Sequence, residues 1–282
     1  MSTPVVDRGY IDIPGSEAGR VFACEVAPPD GIAARGSALL IAPLFEEKKS
    51  SRRTLHELAL SIAEVGWRSL SVDFTGTGDS PGDHSELTVE LMLKEVEAAR
   101  AHLRERSSAS AEPVLLGLRL GAAVAWISAA RGAPAPGGLV LVQPVPEGRK
   151  YLWNMLRRKQ VRDMMTAGKS AGVTARAKEA FEAGGSFDLD GFEVSAALAR
   201  GLEEIDLASE QLPAGLPSLL IGCGPKGRAP ADVAKLREGL SETGKMVSLD
   251  IEPFWDRIER TDSSALHLAV REFLDGLEGG AG

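Results

Sequence analysis

The segment that most constrains this chain is residues 114–122, which read VLLGLRLGA. A continuous apolar run is typical of a strand that is buried on both faces of a sheet. Gly117 and Gly121 flank Arg119, and a stretch of alanine-rich, helix-forming sequence follows. The pattern predicts a central strand, a tight turn around Arg119, and a helix that starts directly after the turn.

Similar short apolar segments recur along the chain, and segments of helical length separate most of them. They lie at residues 36–44, 68–74, 139–143, 216–222 and 246–252, while residues 9–14 and 21–27 alternate as a hairpin does. Alternating strands and helices predict an α/β fold with a doubly wound, mostly parallel sheet. Ligands of such sheets bind at the carboxyl ends of the strands.

Two connections between these segments differ in character. Residues 45–53 are strongly charged and are predicted to form a loop, with Thr54 capping the next helix and Glu57 completing a capping box. Residues 145–213 contain three helical patterns, at 151–167, 175–183 and 193–205, with no strand between them. We expect this part to be a helical cap inserted into a core formed by residues 1–144 and 214–282.

Composition narrows the possible environment and partners. The net charge of −8 argues against nonspecific binding to nucleic acids or anionic lipids. Cys24 and Cys223 form no CxxC motif or disulfide framework, which is typical of a reducing compartment. The first 15 residues lack the apolar core of a signal peptide, and no apolar run approaches 18 residues. The sequence thus favours a cytoplasmic protein with no membrane span.

The order of several motifs resembles the α/β-hydrolase superfamily over residues 36–277. They are the strand–turn–helix at Arg119, the loop D-x-x-G-x-G-x-S at residues 73–80, and the helical insertion. Within the superfamily, further segments resemble the exosortase A system-associated hydrolase-like family, second type. These are residues 43–53, 117–122, 151–158, 190–207 and 253–255. The resemblance implies a bacterial protein linked to exopolysaccharide and exosortase loci, but a fold does not by itself fix a reaction.

In serine hydrolases of that superfamily the turn reads G-x-S-x-G, and its serine is the nucleophile. Here Arg119 takes that position, and a guanidinium is neither a nucleophile nor a practical base. The usual acid position, residues 223–228, has no carboxylate, and the usual base position, residues 253–258, has no histidine. The sequence therefore lacks the Ser-His-acid triad.

The remaining candidate nucleophiles and bases are few. The four histidines are His56, His84, His102 and His267. His267 is a displaced base or, as we favour, an ordinary helical histidine. Cys223 follows a strand and is a nucleophile or, as we favour, a small core residue. No His, Cys or acidic pair has metal spacing, so we expect neither a metal nor a cofactor.

Arg119 begins a helix, where the macrodipole disfavours a cation. We therefore expect an anionic partner, either Glu46 or Glu47, and three interpretations remain open. The pair is a structural salt bridge, or Arg119 clamps a carboxylate or phosphate with help from Arg52 or Arg53, or a buried glutamate is an acid or base. The predicted ligand-binding residues are Leu44, Phe45, Leu120, Arg52, Arg53, Cys223 and Trp255. The backbone N–H groups of Leu120 and of Leu44 or Phe45 would form an oxyanion hole.

A cluster of cations marks the first predicted helix of the cap: Arg149, Lys150, Arg157, Arg158, Lys159 and Arg162. It is a solvated face, or a docking surface for an acidic carrier protein such as an acyl-carrier protein.

Three functions follow from these residues. We favour an atypical or inactive hydrolase homologue that binds a small anionic or acyl ligand. The alternatives are an active esterase or thioesterase that uses a Glu/Arg site, and a lyase or transferase that uses the same pocket.

Overall fold

The described chain, residues 3–106, 111–167, 172–257 and 259–278, forms ten strands and eight α-helices in the computed structural model. The strands are β1 (Val5–Asp12), β2 (Arg20–Ala27), β3 (Gly36–Ile41), β4 (Trp67–Val72), β5 (Val114–Leu118), β6 (Gly138–Val142), β7 (Ser186–Leu189), β8 (Phe192–Ser195), β9 (Ser218–Cys223) and β10 (Lys245–Leu249). The helices are α1 (Phe45–Ala63), α2 (Val89–Arg106), α3 (Leu120–Arg131), α4 (Gly148–Ala167), α5 (Val173–Glu182), α6 (Ala196–Glu203), α7 (Ala231–Lys235) and α8 (Ser264–Glu278).

Eight strands form one sheet in the order β1-β2-β4-β3-β5-β6-β9-β10. Neighbours from β4 to β10 run parallel, whereas β2 is antiparallel to β1 and β4. Helices α2 and α3 cover one face and α1 and α8 the other, so Leu39 and Leu40 of β3 join different apolar clusters. The predicted doubly wound, mostly parallel sheet is confirmed.

The turn after β5 has the predicted strand–turn–helix form. Arg119 has φ 55° and ψ −119°, a strained backbone conformation for a residue with a side chain. A Cβ on Gly121 would lie 2.1 Å from the carbonyl oxygen of Ile41, and one on Gly117 would lie 2.4 Å from Cα of Ala122. Both glycines are therefore needed for α3 to begin against β3 and β5.

The charged segment after β3 is not the predicted loop. Helix α1 begins at Phe45, and Thr54 is buried inside the helix instead of capping it. The Glu, Lys and Arg residues of this segment are good helix formers, and Glu46 and Glu47 suit a first helical turn. The expectation of a loop is wrong because a run of charged residues is compatible with a helix whose charged side chains face solvent.

The segment between β6 and β9 contains α4, α5, the β7–β8 hairpin and α6. The expectation that no strand lies there is wrong. The helix predicted over residues 193–205 is present as α6, but it begins only at Ala196, because residues 193–195 belong to β8 and Ser195 caps the helix. Asp190 and Gly191 both have positive φ, and an Asp-Gly pair between two β-prone segments is a strong hairpin signal.

Between β9 and β10 the chain forms the short helix α7, which continues into a 3₁₀ turn, Leu236–Gly239. Among the helices of the described ranges, none is both long enough and apolar enough to cross a membrane.

We expect Gly121→Ala to lower the free energy of unfolding by at least about 2 kcal/mol, because the added methyl group meets backbone that cannot rotate away. Urea denaturation followed by circular dichroism measures this loss. The matched control is Gly276→Ala in α8, where no atom lies within 4 Å and stability should rise by up to about 1 kcal/mol. An unchanged midpoint for Gly121→Ala would contradict the close approach of α3 to β3.

Candidate functional site

Arg119 and Glu47 form an ion pair at the carboxyl edge of the sheet. Nε and Nη2 of Arg119 donate to Oε1 of Glu47 at 3.2 and 3.0 Å. Their side chains are only 13% and 7% exposed, respectively. Of the two predicted partners, the structure places Glu47 here, whereas Glu46 is exposed and pairs with Lys49 at 2.8 Å.

Three further residues complete the surroundings of this pair. The Tyr151 hydroxyl of α4 donates to Oε2 of Glu47 at 3.0 Å. Nη1 of Arg119 donates to the carbonyl oxygen of Gln143 at 3.2 Å. The Trp255 ring lies 5.1 Å from the guanidinium carbon, within cation–π range. The ion pair thus lies among side chains and backbone from five places: α1, the turn after β5, the residue that follows β6, α4 and the segment after β10.

Burial dominates the electrostatics of these groups. It raises the pKa of Glu47 by more than Arg119 and Tyr151 lower it. Burial lowers the pKa of Arg119, but Glu47 and Tyr151 outweigh it and the net shift is upward. Burial and the nearby Glu47 hold the pKa of Tyr151 well above its ordinary value. Arg119 is therefore a fixed cation and Tyr151 a neutral donor.

The two other positions of the hydrolase pattern adjoin this cluster. Cys223, at the end of β9, is buried, and its backbone N–H donates to Oε1 of Gln143 at 2.7 Å. Burial raises the pKa of its thiol to about 12. In the segment where a hydrolase has its histidine, Trp255 stacks on Arg119 and Asp256 pairs with Arg158 at 2.9 Å. The last residue of that predicted segment, Ile258, lies outside the described residues.

The predicted oxyanion-hole residues lie at the ends of two hydrogen-bonded neighbours, β3 and β5. Leu44 and Phe45 follow β3, and Phe45 has φ 57° as the first residue of α1. Leu120 is the first residue of α3, and the first N–H groups of a helix have no intrahelical acceptor. All three side chains are buried, so only their backbone groups are suited to contact a ligand.

A cavity of about 180 Å³ lies in front of Arg119. Its charged lining residues are Arg119, Lys150 and Arg158, with Glu147 and Asp232. Gln143 and Tyr151 also line it, so the ion-pair cluster forms one of its walls.

The structure does not bring Arg52 and Arg53 to Arg119. Both line a second, larger cavity that shares no residue with the first. Arg52 lies 4.0 Å from Asp79, and Arg53 lies 3.4 Å from Glu57. The expected support for Arg119 failed because α1 already begins at Phe45, and its helical period points these side chains elsewhere.

The histidines lie outside the cavity at Arg119. His267, on α8, contacts Ser263 through Nε2 at 3.2 Å. His56 and His84 line the larger cavity, and His102 lies on α2. Within the described ranges, no group of three or more His, Cys, Asp or Glu residues is arranged to hold a metal ion.

Most cations of the α4 cluster are already paired. Lys150 binds Glu147, Arg158 binds Asp256, and Lys159 and Arg162 bind Asp190. Arg149 and Arg157 are exposed.

Sequence reasoning missed Tyr151 and Gln143 as parts of the site. Gln143 carried a signal, because it is a polar residue at the carboxyl end of a buried strand, where ligands of parallel sheets bind. Tyr151 carried none, because the direction of its side chain depends on how α4 packs.

Comparison with solved structures identifies the fold. The chain is similar to Est1E from Butyrivibrio proteoclasticus, solved with ferulic acid, with TM-score 0.70 and 16% identity, covering 96% of this chain and 99% of that one. The enol-lactonase from Burkholderia xenovorans LB400 gives 0.63 and 19%, covering 95% and 100%. Alpha/beta hydrolase domain-containing protein 10 from mouse gives 0.60 and 15%, covering 96% and 99%.

These neighbours show that the chain has the α/β-hydrolase fold. No protein-family model matches the sequence, and no curated protein matches it. At such low identities the similarity concerns the fold alone, so the function has to be argued from the site.

We expect Arg119→Met to lower the free energy of unfolding by about 3–5 kcal/mol at neutral pH, because it leaves Glu47 buried without its cation. Adding Glu47→Gln should recover part of this loss, since a neutral amide oxygen still accepts from Tyr151. Urea denaturation of the two single variants and the double variant measures the coupling. Equal stability of wild type and Arg119→Met would show that the pair is solvated.

The loss in Arg119→Met should also depend on pH. Without the guanidinium, the folded-state pKa of Glu47 rises further above its ordinary value of 4.5. The variant therefore keeps its stability below pH 4.5, where Glu47 is protonated in both the folded and the unfolded chain. It loses stability as the pH rises through the folded-state pKa of Glu47. Unfolding curves at pH 5 and pH 8 should therefore show a larger deficit at pH 8.

We expect Cys223 to be unreactive in the folded protein, because its thiol is buried and its pKa is about 12. In a Cys24→Ser variant at pH 8, DTNB should label Cys223 only after denaturant is added. Cys223→Ser is the matched control and should retain the reaction of the half-buried Cys24. Rapid labelling of the native Cys24→Ser variant would show that the Cys223 thiol is reactive and would support it as a nucleophile.

Proposed function

We propose that this protein binds a small anionic or acyl ligand at the carboxyl edge of its sheet, without the Ser-His-acid chemistry of serine hydrolases. The observation that carries the proposal is the position of Arg119. Its guanidinium lies at the turn between β5 and α3, is held there by Glu47 and Trp255, and lines a cavity. A fixed cation at this place favours recognition of an anion over nucleophilic attack.

Arg119 keeps donors available for such a ligand. A guanidinium has five N–H donors. Three of them contact Glu47 and Gln143, which leaves one on each terminal nitrogen. These two donors can bind a carboxylate or phosphate, and Lys150 and Arg158 add positive charge to the same cavity.

The size of the cavity limits the ligand. About 180 Å³ is below the 300–1,000 Å³ typical of sites for drug-sized molecules. It suits an anion of a few non-hydrogen atoms or the head of a short acyl compound.

In this proposal, residues 145–213 are the helical cap, and residues 1–144 and 214–282 form the core. Helix α4 supplies Tyr151, Lys150 and Arg158 to the cavity at the strand ends. A cap that moved with α4 would therefore open or close the site. Membership of the exosortase-associated family, with a cytoplasmic, bacterial setting, stays a prediction.

A second candidate function is acyl hydrolysis of esters or thioesters with Glu47 as acid or base. It is favoured by the raised pKa of Glu47 and by the N–H groups at the start of α3. However, Oε1 of Glu47 already accepts two hydrogen bonds from Arg119 and Oε2 one from Tyr151. Glu47 is also not among the residues that line the cavity at Arg119, so a ligand bound there would not reach its carboxylate directly. We therefore favour the binding function.

The predicted acidic carrier protein also stays a proposal. The ion pairs of α4 leave Arg149 and Arg157 as its exposed cations without a described salt bridge. A carrier would have to approach this side of α4 to deliver an acyl group to the cavity.

Calorimetric titration with acetate, malonate and inorganic phosphate tests the proposal. We expect at least one anion to bind, and Lys150→Gln/Arg158→Gln to weaken it at least tenfold, because two of the three cavity cations are lost. The control Arg176→Gln/Lys178→Gln makes the same charge change on exposed positions of α5 and should bind normally. Equal weakening in both variants would indicate only general charge screening.

Assays with nitrophenyl esters and acyl thioesters separate the two functions. We expect no turnover from the wild type, nor from Arg119→Ser, since a serine there would have no histidine nearby. Wild-type turnover that disappears in Glu47→Gln would overturn the binding function in favour of acyl hydrolysis.

A further inference from the structure

A second cavity, of about 1000 Å³, lies beside α1 and is separate from the cavity at Arg119. Strands β2, β3 and β4 line it together with α1, the loop of residues 73–79 and the β7–β8 hairpin. None of the residues assigned to the small-anion cavity contributes to it. Its volume is at the upper end of the range typical of small-molecule sites.

Most of the buried wall of this cavity is apolar. Val26, Leu40, Leu55 and Ala59 line it and belong to the apolar cluster between α1 and the sheet, and the buried polar residues Ser69 and Thr77 line it as well. The apolar residues come from strands and from one face of α1, so the surface is formed by fixed elements. A surface of this kind takes up hydrocarbon, because removing apolar area from water is favourable.

The mouth of the cavity is cationic. Five cationic side chains line it, Arg8, Lys48, Lys49, Arg52 and Arg53, together with the carboxylates Asp73 and Asp79. Glu46 and Glu57, which pair with Lys49 and Arg53, are not among its lining residues. The charge of the lining residues thus reverses the sign of a chain whose net charge is −8. Cationic side chains beside an apolar wall suit a ligand that carries both an anionic group and a hydrocarbon part.

Two kinds of cation occur at this mouth. Lys48 is 20% exposed and is fixed by Asp73 at 2.6 Å and by Thr77. The ammonium group of Lys49 lies 4.8 Å from the centre of the Phe192 ring. The side chains of Lys49, Arg52 and Arg53 are 64%, 80% and 68% exposed and form surface ion pairs. Such pairs contribute little to stability, so these three side chains can turn to a ligand at small cost.

We propose that this cavity is a second binding site, for a single-chain anionic amphiphile whose carboxylate or phosphate head binds Lys49, Arg52 and Arg53. Its hydrocarbon chain lies on the apolar surface formed by β2, β3 and α1. The site does not depend on the small-anion cavity, because the two share no residue.

The test uses dodecanoate and dodecyl phosphate below their micellar concentrations, with calorimetry as the readout. We expect dodecanoate, dodecyl phosphate or both to bind. Dodecanol, which lacks the anionic head, and inorganic phosphate, which lacks the chain, should bind at least tenfold more weakly. Affinity should rise from octanoate to dodecanoate by up to about fourfold per methylene, which corresponds to ~0.8 kcal/mol per buried methylene. Equal affinity for octanoate and dodecanoate would overturn the apolar part of the site.

Matched variants locate the head group and the chain. Arg52→Glu/Arg53→Glu should weaken binding at least tenfold, whereas Lys235→Glu/Arg237→Glu, the same charge change at exposed positions outside the cavity, should change it less than twofold. Ser71→Phe should also weaken binding, because Ser71 lines the cavity and the larger ring fills it. Normal binding by Arg52→Glu/Arg53→Glu would overturn the proposal.

Two further measurements distinguish this site from the small-anion cavity and from adsorption to a membrane surface. Lys150→Gln/Arg158→Gln should bind the amphiphile normally even where it loses the small anion, so failure of one proposal is distinguishable from failure of the other.

A dodecanoate analogue with a photoreactive chain should label peptides of β4 or α1. Labelling confined to residues 143–158, or binding to anionic phospholipid vesicles without binding to the monomeric amphiphile, would overturn the second site.

Discussion

The ion pair between Arg119 and Glu47 connects the parts of the molecule that meet at the carboxyl edge of the sheet. Arg119 begins α3 after β5, and Glu47 lies in the first turn of α1 after β3. The positive end of the α3 macrodipole disfavours a cation there, so a buried carboxylate is required nearby. Hydrogen bonds to other groups help to offset the cost of burying such a pair, and Tyr151 and Gln143 each supply one.

This arrangement changes what the edge of the sheet can do. In a serine hydrolase the corresponding region places a nucleophile, a base and an acid within reach of one another. Here Arg119, Trp255 and Cys223 take those regions, and they contact one another directly or through Gln143. The charge of the site is permanent, because the guanidinium stays protonated. A permanent, oriented cation is suited to holding an anion, which is the basis of the proposed binding function.

Helix α1 contributes different side chains to the two sites, because successive residues of a helix point in different directions. Glu47 lies on the face that packs towards the sheet, together with Ser51 and Leu58. Arg52 and Arg53 lie on the opposite side and border the larger cavity. One charged segment thus supplies the buried anion of one site and the exposed cations of the other, since residues three and four apart share a face of a helix.

The sequence by itself determined the fold class and the central turn. Continuous apolar strands are typical of a sheet that helices cover on both faces. At positions 117 and 121 only glycine, which has no Cβ, allows α3 to start so close to β3 and β5. The sequence also determined that the residue in this turn is Arg119, whose guanidinium is neither a nucleophile nor a practical base. It did not locate the β7–β8 hairpin, although Asp190 and Gly191 marked its turn.

Only the tertiary structure decided which side chains meet. The choice of Glu47 over Glu46 and the separation of Arg52 and Arg53 from Arg119 both depend on where α1 begins. A start at Phe45 sets the rotation of every later side chain on the helix by about 100° per residue, and residue types alone do not fix that start. The contacts of Tyr151 and Trp255 with the pair depend on the packing of segments far apart in sequence.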